Sequence, residues 1–342
     1  MITIHCGLHK TGSSSIQLAL ELCTKRGRKI VTPKPGDDRS EHGWRERLNK
    51  LATSSDAVFS DEHLLGSPYD GYQLAPERVG MLRETLSGSR FQIVLYLRPH
   101  VDWLPSVYLQ GVQEGRMMSP EDFWSAVKNE PYLRWVNLTD LVRRESGAEI
   151  VNIRAHTRSR DVVADFFDVV GLGKPPRTRT TIIRENVSIG SAQAVLLRQL
   201  YGREDVDDEQ RKLFRTVFQH DLAAGRVRDI SPFPVLTQLE IAEQLRGDWA
   251  SLALHQTPDA EFGVFRSETS RYDNVSLPHA GASLVDRYVG EEALRSLQIL
   301  ILRQRLHEKP RGLSRFKQMG LKRWWGRKPS FAVDFGALRG RR

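Results

Sequence analysis

The sequence predicts an α/β fold of three layers, with a central parallel sheet, helices on both faces and a helical second half. Three observations lead there. Short apolar runs alternate with segments of helical period over roughly residues 1–115, the pattern of βα units whose strands lie parallel. Phe91-Gln-Ile-Val-Leu-Tyr-Leu97 is almost continuously apolar, as a strand buried on both faces requires. Beyond residue 115 the period is mostly helical, with one further strand.

The elements follow in order. Ile2, Ile4 and Cys6 alternate with Thr3 and His5, which predicts a strand over 2–6. Ser13 to Ser15 can cap a helix over 13–26 that carries Ile16, Leu18, Leu20 and Leu22. A strand at 29–32, a helix at 42–52, a strand at 56–60 and a helix at 76–88 continue the alternation. The apolar run at 91–97 ends at Arg98-Pro99, and Pro99 suits the first position of a helix over 99–113. Helices are expected at 119–128 and 134–145, a strand at 149–153 and a helix at 160–171. Further helices are expected at 190–202, 206–224, 235–254 and 284–307. Gly and Pro mark 172–177 and 256–281 as loops. The expected organisation is one domain over 1–307 and a basic tail over 308–342.

Composition narrows the function classes. The 342 residues carry a net charge of +9. From Arg303 onward there are thirteen Lys or Arg against two acids, Glu308 and Asp334, leaving 38 bases and 40 acids before them. The body is therefore slightly acidic, and no nucleic-acid partner is expected. No run of 18 apolar residues and no basic leader precedes an apolar stretch, so neither a membrane span nor a secretory signal is expected. Two cysteines, Cys6 and Cys23, suit a reducing, cytoplasmic setting. The tail mixes its bases with Phe316, Leu321, Trp324 and Trp325. That mixture suits an anionic membrane surface or an acidic polysaccharide, and equally a solvated tail.

The first strand leads into His5-Cys-Gly-Leu-His-Lys-Thr-Gly-Ser-Ser-Ser-Ile-Gln17. Gly7 and Gly12 allow a sharp turn and close approach of a ligand. The N–H groups and positive dipole end of the following helix attract an anion. Lys10 adds a full charge, worth about 4 kcal/mol toward a phosphate at ~4 Å and an effective dielectric near 20. Without a ligand the same residues make a Ser-capped helix after a glycine turn. Because the lysine precedes the second glycine, the segment departs from the G-x-x-x-x-G-K-[ST] loop of nucleotide triphosphatases.

Lys10-Thr-Gly-Ser-Ser14 resembles the 5′-phosphosulfate-binding loop of sulfotransferases, which use PAPS (3′-phosphoadenosine 5′-phosphosulfate). Arg98 and Ser106 match the spacing of the Arg and Ser with which that superfamily grips the 3′-phosphate. The resemblance lies nearer the bacterial and carbohydrate-acting branches and fades near residue 260. It implies a P-loop-type fold, PAPS as co-substrate, no metal, and a hydroxyl-bearing, carbohydrate-like acceptor. It assigns Lys10, Thr11, Gly12, Ser13 and Ser14 to the phosphosulfate, and Arg98 and Ser106 to the 3′-phosphate.

Sulfuryl transfer to a hydroxyl also needs a base. Ala57-Val-Phe-Ser-Asp-Glu-His63 runs from apolar residues into acids at a strand end, which places Asp61, Glu62 and His63 at the same sheet edge as Lys10. Ser60-Asp-Glu resembles the Ser-Ser-Glu segment of bacterial relatives, which makes Glu62 the expected base, with Asp61 and His63 as alternatives. His9 stands within the loop as a possible contact. Trp103 can stack on a nucleobase, but at helical spacing with Leu104 and Val107 it reads as core. Two competing functions are a P-loop kinase or ATPase, with Val58–Glu62 as its acidic strand, and a non-catalytic polyanion- or membrane-binding protein on a transferase scaffold.

Overall fold

Ile4, at the centre of the sheet, sits between Phe59 and Ile93 of the two flanking strands. The computed structural model describes residues 1–23, 28–34, 36–54, 56–157, 161–176, 189–202, 231–255 and 259–273. All of them belong to one unit, Met1–Asp286. The expected helices at 206–224 and 284–307 and the basic tail lie outside the described residues.

Five strands form an all-parallel sheet: β1 (Ile2–His5), β2 (Lys29–Val31), β3 (Ala57–Ser60), β4 (Phe91–Leu97) and β5 (Ile150–Ala155). Their spatial order is β2-β3-β1-β4-β5. The chain leaves β1 toward one edge and later crosses to the other side of it. Right-handed crossovers then send α1 (Ser13–Glu21) to one face of the sheet. The same rule sends α2 (Glu41–Ala52), α3 (Ala75–Thr85) and α4 (His100–Gln113) to the opposite face.

Packing agrees with that handedness. Ile16 and Leu20 of α1 share a buried cluster with Phe166 and Phe167 of α7 (Val162–Val169), against Val58, Val94 and Tyr96 of the sheet. Burying each of those phenylalanines contributes about 1.5–3 kcal/mol. All seven residues of β4 are buried, as its apolar run requires.

Ser40 caps α2 by accepting the Gly43 N–H, Ser119 caps α5 (Pro120–Val127) and Asp161 caps α7. The start of α6 (Trp135–Glu145) is capped from a distance. Asp248 of α9 (Val235–His255) accepts from the N–H groups of Trp135 and Val136 at 2.7 and 3.1 Å. Its α8 neighbour in sequence spans Ser191–Tyr201.

Two expectations fail. The first helix ends at Glu21 rather than 26, and no serine caps it. Gly12 takes the cap position with φ 86°, and Ser13 is already helical. The segment 256–281 is not wholly loop, because α10 (Asp259–Glu268) and a single turn, α11 (Ser270–Asp273), form within it. Tertiary docking is the reason. Phe265 is fully buried against Trp249, whose Nε1–H donates to the Phe265 carbonyl at 3.0 Å, and short helices draw most of their stability from such packing. Among the described residues no helix is long and apolar enough to cross a membrane.

Candidate active site at the carboxyl edge of the sheet

Three neighbouring strands, β3, β1 and β4, deliver their C-terminal residues to one edge. β1 lies where the chain's direction across the sheet reverses, and ligands in open parallel sheets bind at that switch point. The loop after β1 carries Lys10, the exit of β3 carries Asp61, Glu62 and His63, and the exit of β4 carries Arg98.

The loop is tightly closed on itself. A side chain at Gly7 would meet Ser13 Oγ at 2.1 Å, so helix and strand approach at a distance only glycine permits. At Gly12 the left-handed backbone and Val162 Cγ1, 2.6 Å from a would-be Cβ, both demand glycine. Thr11 Oγ1 donates to the Leu8 carbonyl at 2.6 Å and Ser13 Oγ donates to the same oxygen at 3.2 Å. Both hydroxyls are buried and brace the turn. What the loop turns outward is the half-buried Lys10 side chain beside an α1 start that no side chain caps. Lys10 itself has φ 62°, a strained left-handed position for a lysine.

β4 and α4 hold this loop from the side. Trp103 is fully buried and its Nε1–H donates to the His9 carbonyl at 2.7 Å, so it is core and a loop brace together. Arg98 Nη1 donates to Ser106 Oγ at 3.1 Å and reaches the Lys10 carbonyl at 3.5 Å. The two residues paired by sequence spacing therefore touch, and the arginine spans from the β4 exit to the lysine turn. The helical second half fixes that exit. Trp135 Nε1–H donates to the Arg98 carbonyl at 2.9 Å, and the His100 ring stacks on Trp135 at 4.5 Å. The His100 N–H donates to Tyr272 Oη at 2.9 Å. Since Nε2 faces the Leu133 carbonyl, Nε2 carries the ring proton and Nδ1 accepts the Tyr272 hydroxyl.

The three candidate bases separate clearly. Asp61 is 1% exposed and committed: it accepts from Trp44 Nε1 and from the His63 N–H, each at 2.9 Å, with Arg47 at 3.7 Å. It is a structural anchor. Glu62 keeps a quarter of its side chain exposed, with His63 Nε2 3.7 Å from Oε1. Burial raises its carboxyl above the usual range, opposed by His63, Arg39 and Lys10. Burial likewise lowers the Lys10 ammonium, opposed by Glu62 and Glu114. A lysine and a carboxylate whose ionisation is displaced toward each other, at the mouth of a loop, are common features of functional sites. The His63 ring, beside Glu62, also meets His9 and Arg39.

Four further residues enter the site without a sequence signal. Arg39 contacts His63 Nε2 at 2.8 Å, and Tyr72 Oη lies 3.5 Å from His9 Nδ1. Glu114, just beyond α4, acts on Lys10 through charge. His156 follows β5 and bonds its N–H to the Leu97 carbonyl. Burial lowers its imidazole to about 4, with Arg98 adding to the effect. None lies in a periodic run or a motif, so only the strand order could have found them. Among the described residues no group of three or more His, Cys, Asp or Glu is arranged to hold a metal.

No protein-family model matches the chain, and neither a curated protein nor a solved structure matches it.

Proposed function

We propose that the protein is a PAPS-dependent sulfotransferase on a P-loop-type fold, acting in the cytoplasm on a hydroxyl of a carbohydrate-like acceptor. The observation that carries this reading is the Arg98 side chain, which bonds Ser106 and reaches the Lys10 carbonyl from the neighbouring strand exit. One bisphosphorylated nucleotide can engage both exits, with its 3′-phosphate at Arg98 and Ser106 and its 5′-phosphosulfate at Lys10 and the start of α1.

In this reading Lys10 and the helix dipole stabilise charge developing on the sulfuryl group and on the leaving phosphate. Gly12 and Ser14 line the turn, and the Thr11 and Ser13 hydroxyls keep its shape. Glu62 takes the acceptor proton, and its raised affinity for protons favours that role near neutral pH. No step calls for a metal. Cys6 and Cys23 are both buried and in no disulfide, which fits a reducing compartment. The basic tail is proposed to contact an acidic acceptor or a membrane surface; comparing vesicle binding with and without residues 308–342 tests it.

The deciding experiment is calorimetric titration with 3′,5′-ADP and with 5′-AMP. The expected result is tighter binding of 3′,5′-ADP, lost in Arg98→Ala. Equal affinity for the two nucleotides overturns the reading. Magnesium-dependent ATP turnover would point instead to a P-loop kinase or ATPase, a role to which the committed Asp61 carboxylate is poorly suited. Nucleotide binding with no transfer to any acceptor would favour a non-catalytic binding protein.

A further inference from the structure

His9 is 3% exposed and lies in the loop, one residue before Lys10. Its Nε2 is 3.2 Å from His63 Nδ1, and the far side of His63 meets a guanidinium, with Arg39 Nη1 2.8 Å from Nε2. A guanidinium only donates, so Nε2 of His63 must accept. The single proton of a neutral His63 then sits on Nδ1 and is donated to His9 Nε2. His9 in turn carries its proton on Nδ1, facing Tyr72 Oη at 3.5 Å. Arg39 at the surface and the buried His9 Nε2 thus hold His63 in one tautomer from opposite sides.

The backbone adds independent support. Among the described residues, the non-glycine positions with positive φ are Lys10 and Tyr72, each at 62°. One adjoins His9 in the chain and the other faces its ring. Strain of this kind persists where the surroundings over-determine a conformation, and it collects at functional sites. The charged groups that face the pair are Glu62, Lys10 and Arg39, while Asp61 holds the backbone N–H of His63.

We infer that His9 is a positioning residue that locks His63 in the Nδ1–H tautomer, so that His63 Nε2 receives the acceptor's proton from Glu62. This rests on the proposed transfer reaction. As the acceptor oxygen bonds to sulfur, its O–H bond breaks and the proton goes to the Glu62 carboxylate. The bond from sulfur to the phosphate oxygen breaks, and its electron pair leaves with 3′,5′-ADP. Arg39 withdraws, Glu62 passes the proton to His63 Nε2, and the Nδ1–H bond to His9 holds throughout. The proton leaves to solvent when Arg39 returns. The arrangement parallels a base held by a second group in catalytic triads, with a neutral histidine as the holder.

Long-range proton–nitrogen spectra of the full chain, with labelled histidine at neutral pH, test this. His63→Gln and His9→Gln assign the signals. The expected result is Nδ1–H for both rings in the unaltered protein. In an Arg39→Ala background, which removes the surface donor, His63 should keep one tautomer beside His9, become a mixture in His9→Leu and return to one form in His9→Gln, whose side-chain carbonyl replaces Nε2 as acceptor. Turnover should fall at least tenfold in His9→Leu, with donor KM unchanged, and recover in His9→Gln. An Nε2–H tautomer for His63 in the unaltered protein overturns the inference, whether or not His9→Leu folds. So does a single unchanged tautomer in the folded double variant Arg39→Ala, His9→Leu. The spectra need no acceptor, so a protein that moves no sulfate would refute the reaction while the dyad is still measured.

Discussion

Lowering the pH from 7 to 5 should destabilise this fold by an amount that follows from three buried histidines. His5 and His100 are 0% exposed and His9 is 3% exposed. Burial lowers each imidazole to about 3. An unfolded histidine titrates near 6.5. Below that pH the unfolded chain binds a proton that the folded chain refuses, so their contribution is present above 6.5 and is lost as pH falls toward 3. At about 1.4 kcal/mol per pH unit, the drop from 6.5 to 5 removes about 2 kcal/mol per histidine, or about 6 for three. Asp248 acts in the opposite sense. Burial raises it to about 6, so the folded state binds its proton more tightly and regains about 1.4 kcal/mol by pH 5. The net loss from these four groups is about 5 kcal/mol, comparable to the whole stability of many domains; His156, lowered to about 4, adds to it and the raised Glu62 carboxyl offsets it.

Urea unfolding followed by tryptophan fluorescence at the two pH values measures this. With a slope of about 3 kcal/mol per molar, the midpoint should fall by about 1.5 M. His5→Gln, His9→Gln and His100→Gln should each remove about a third of the histidine contribution. His5 is the most informative, because its Nδ1 bonds Ser60 Oγ at 2.8 Å while Nε2 finds no partner among the described residues. A midpoint shift below about 0.3 M, or a pH dependence untouched by all three substitutions, would refute the reasoning.

Other outcomes follow from the site. In the proposed reaction Glu62→Gln should lower kcat by about 10²–10⁴-fold with little change in thermal midpoint. Asp61→Asn should instead lower stability, since it weakens the buried links to Trp44, Arg47 and the His63 backbone, and a larger kcat loss than in Glu62→Gln would reverse the two roles. Gly12→Ala should cost more than about 1 kcal/mol in urea unfolding, because both the left-handed backbone and Val162 oppose a methyl group. Trp103→Phe should cost about 1 kcal/mol by removing the bond to the His9 carbonyl. Its 3′,5′-ADP affinity, read by calorimetry, should fall as well; unchanged affinity would show that the brace does not shape the loop.

The legibility of the site in the sequence was uneven for a physical reason. The lysine turn and the Arg98–Ser106 pair are local. A loop and the helix after it, or a strand end and the helix it starts, carry their geometry within a dozen residues. Ser106 meets Arg98 because eight residues from a strand exit lead about two turns into the following helix. Asp61, Glu62 and His63 were placed at the right edge, yet their division of labour was invisible. Which carboxylate is consumed depends on Trp44 and Arg47, contributed by α2.

The alternation of apolar runs with helical segments determined that the chain is α/β, and that β4 lies in the sheet's interior. It also located β1 and the lysine-bearing turn that follows it. Strand order was left to the tertiary structure, because parallel pairing joins residues far apart in the chain and period alone does not say which edge each crossover takes. That order sets β1 between β3 and β4, and so brings Lys10, Glu62 and Arg98 to one edge. It also joins His9 to His63 across 54 positions of sequence and forms α10 on Trp249, contacts that no local pattern of side chains encodes.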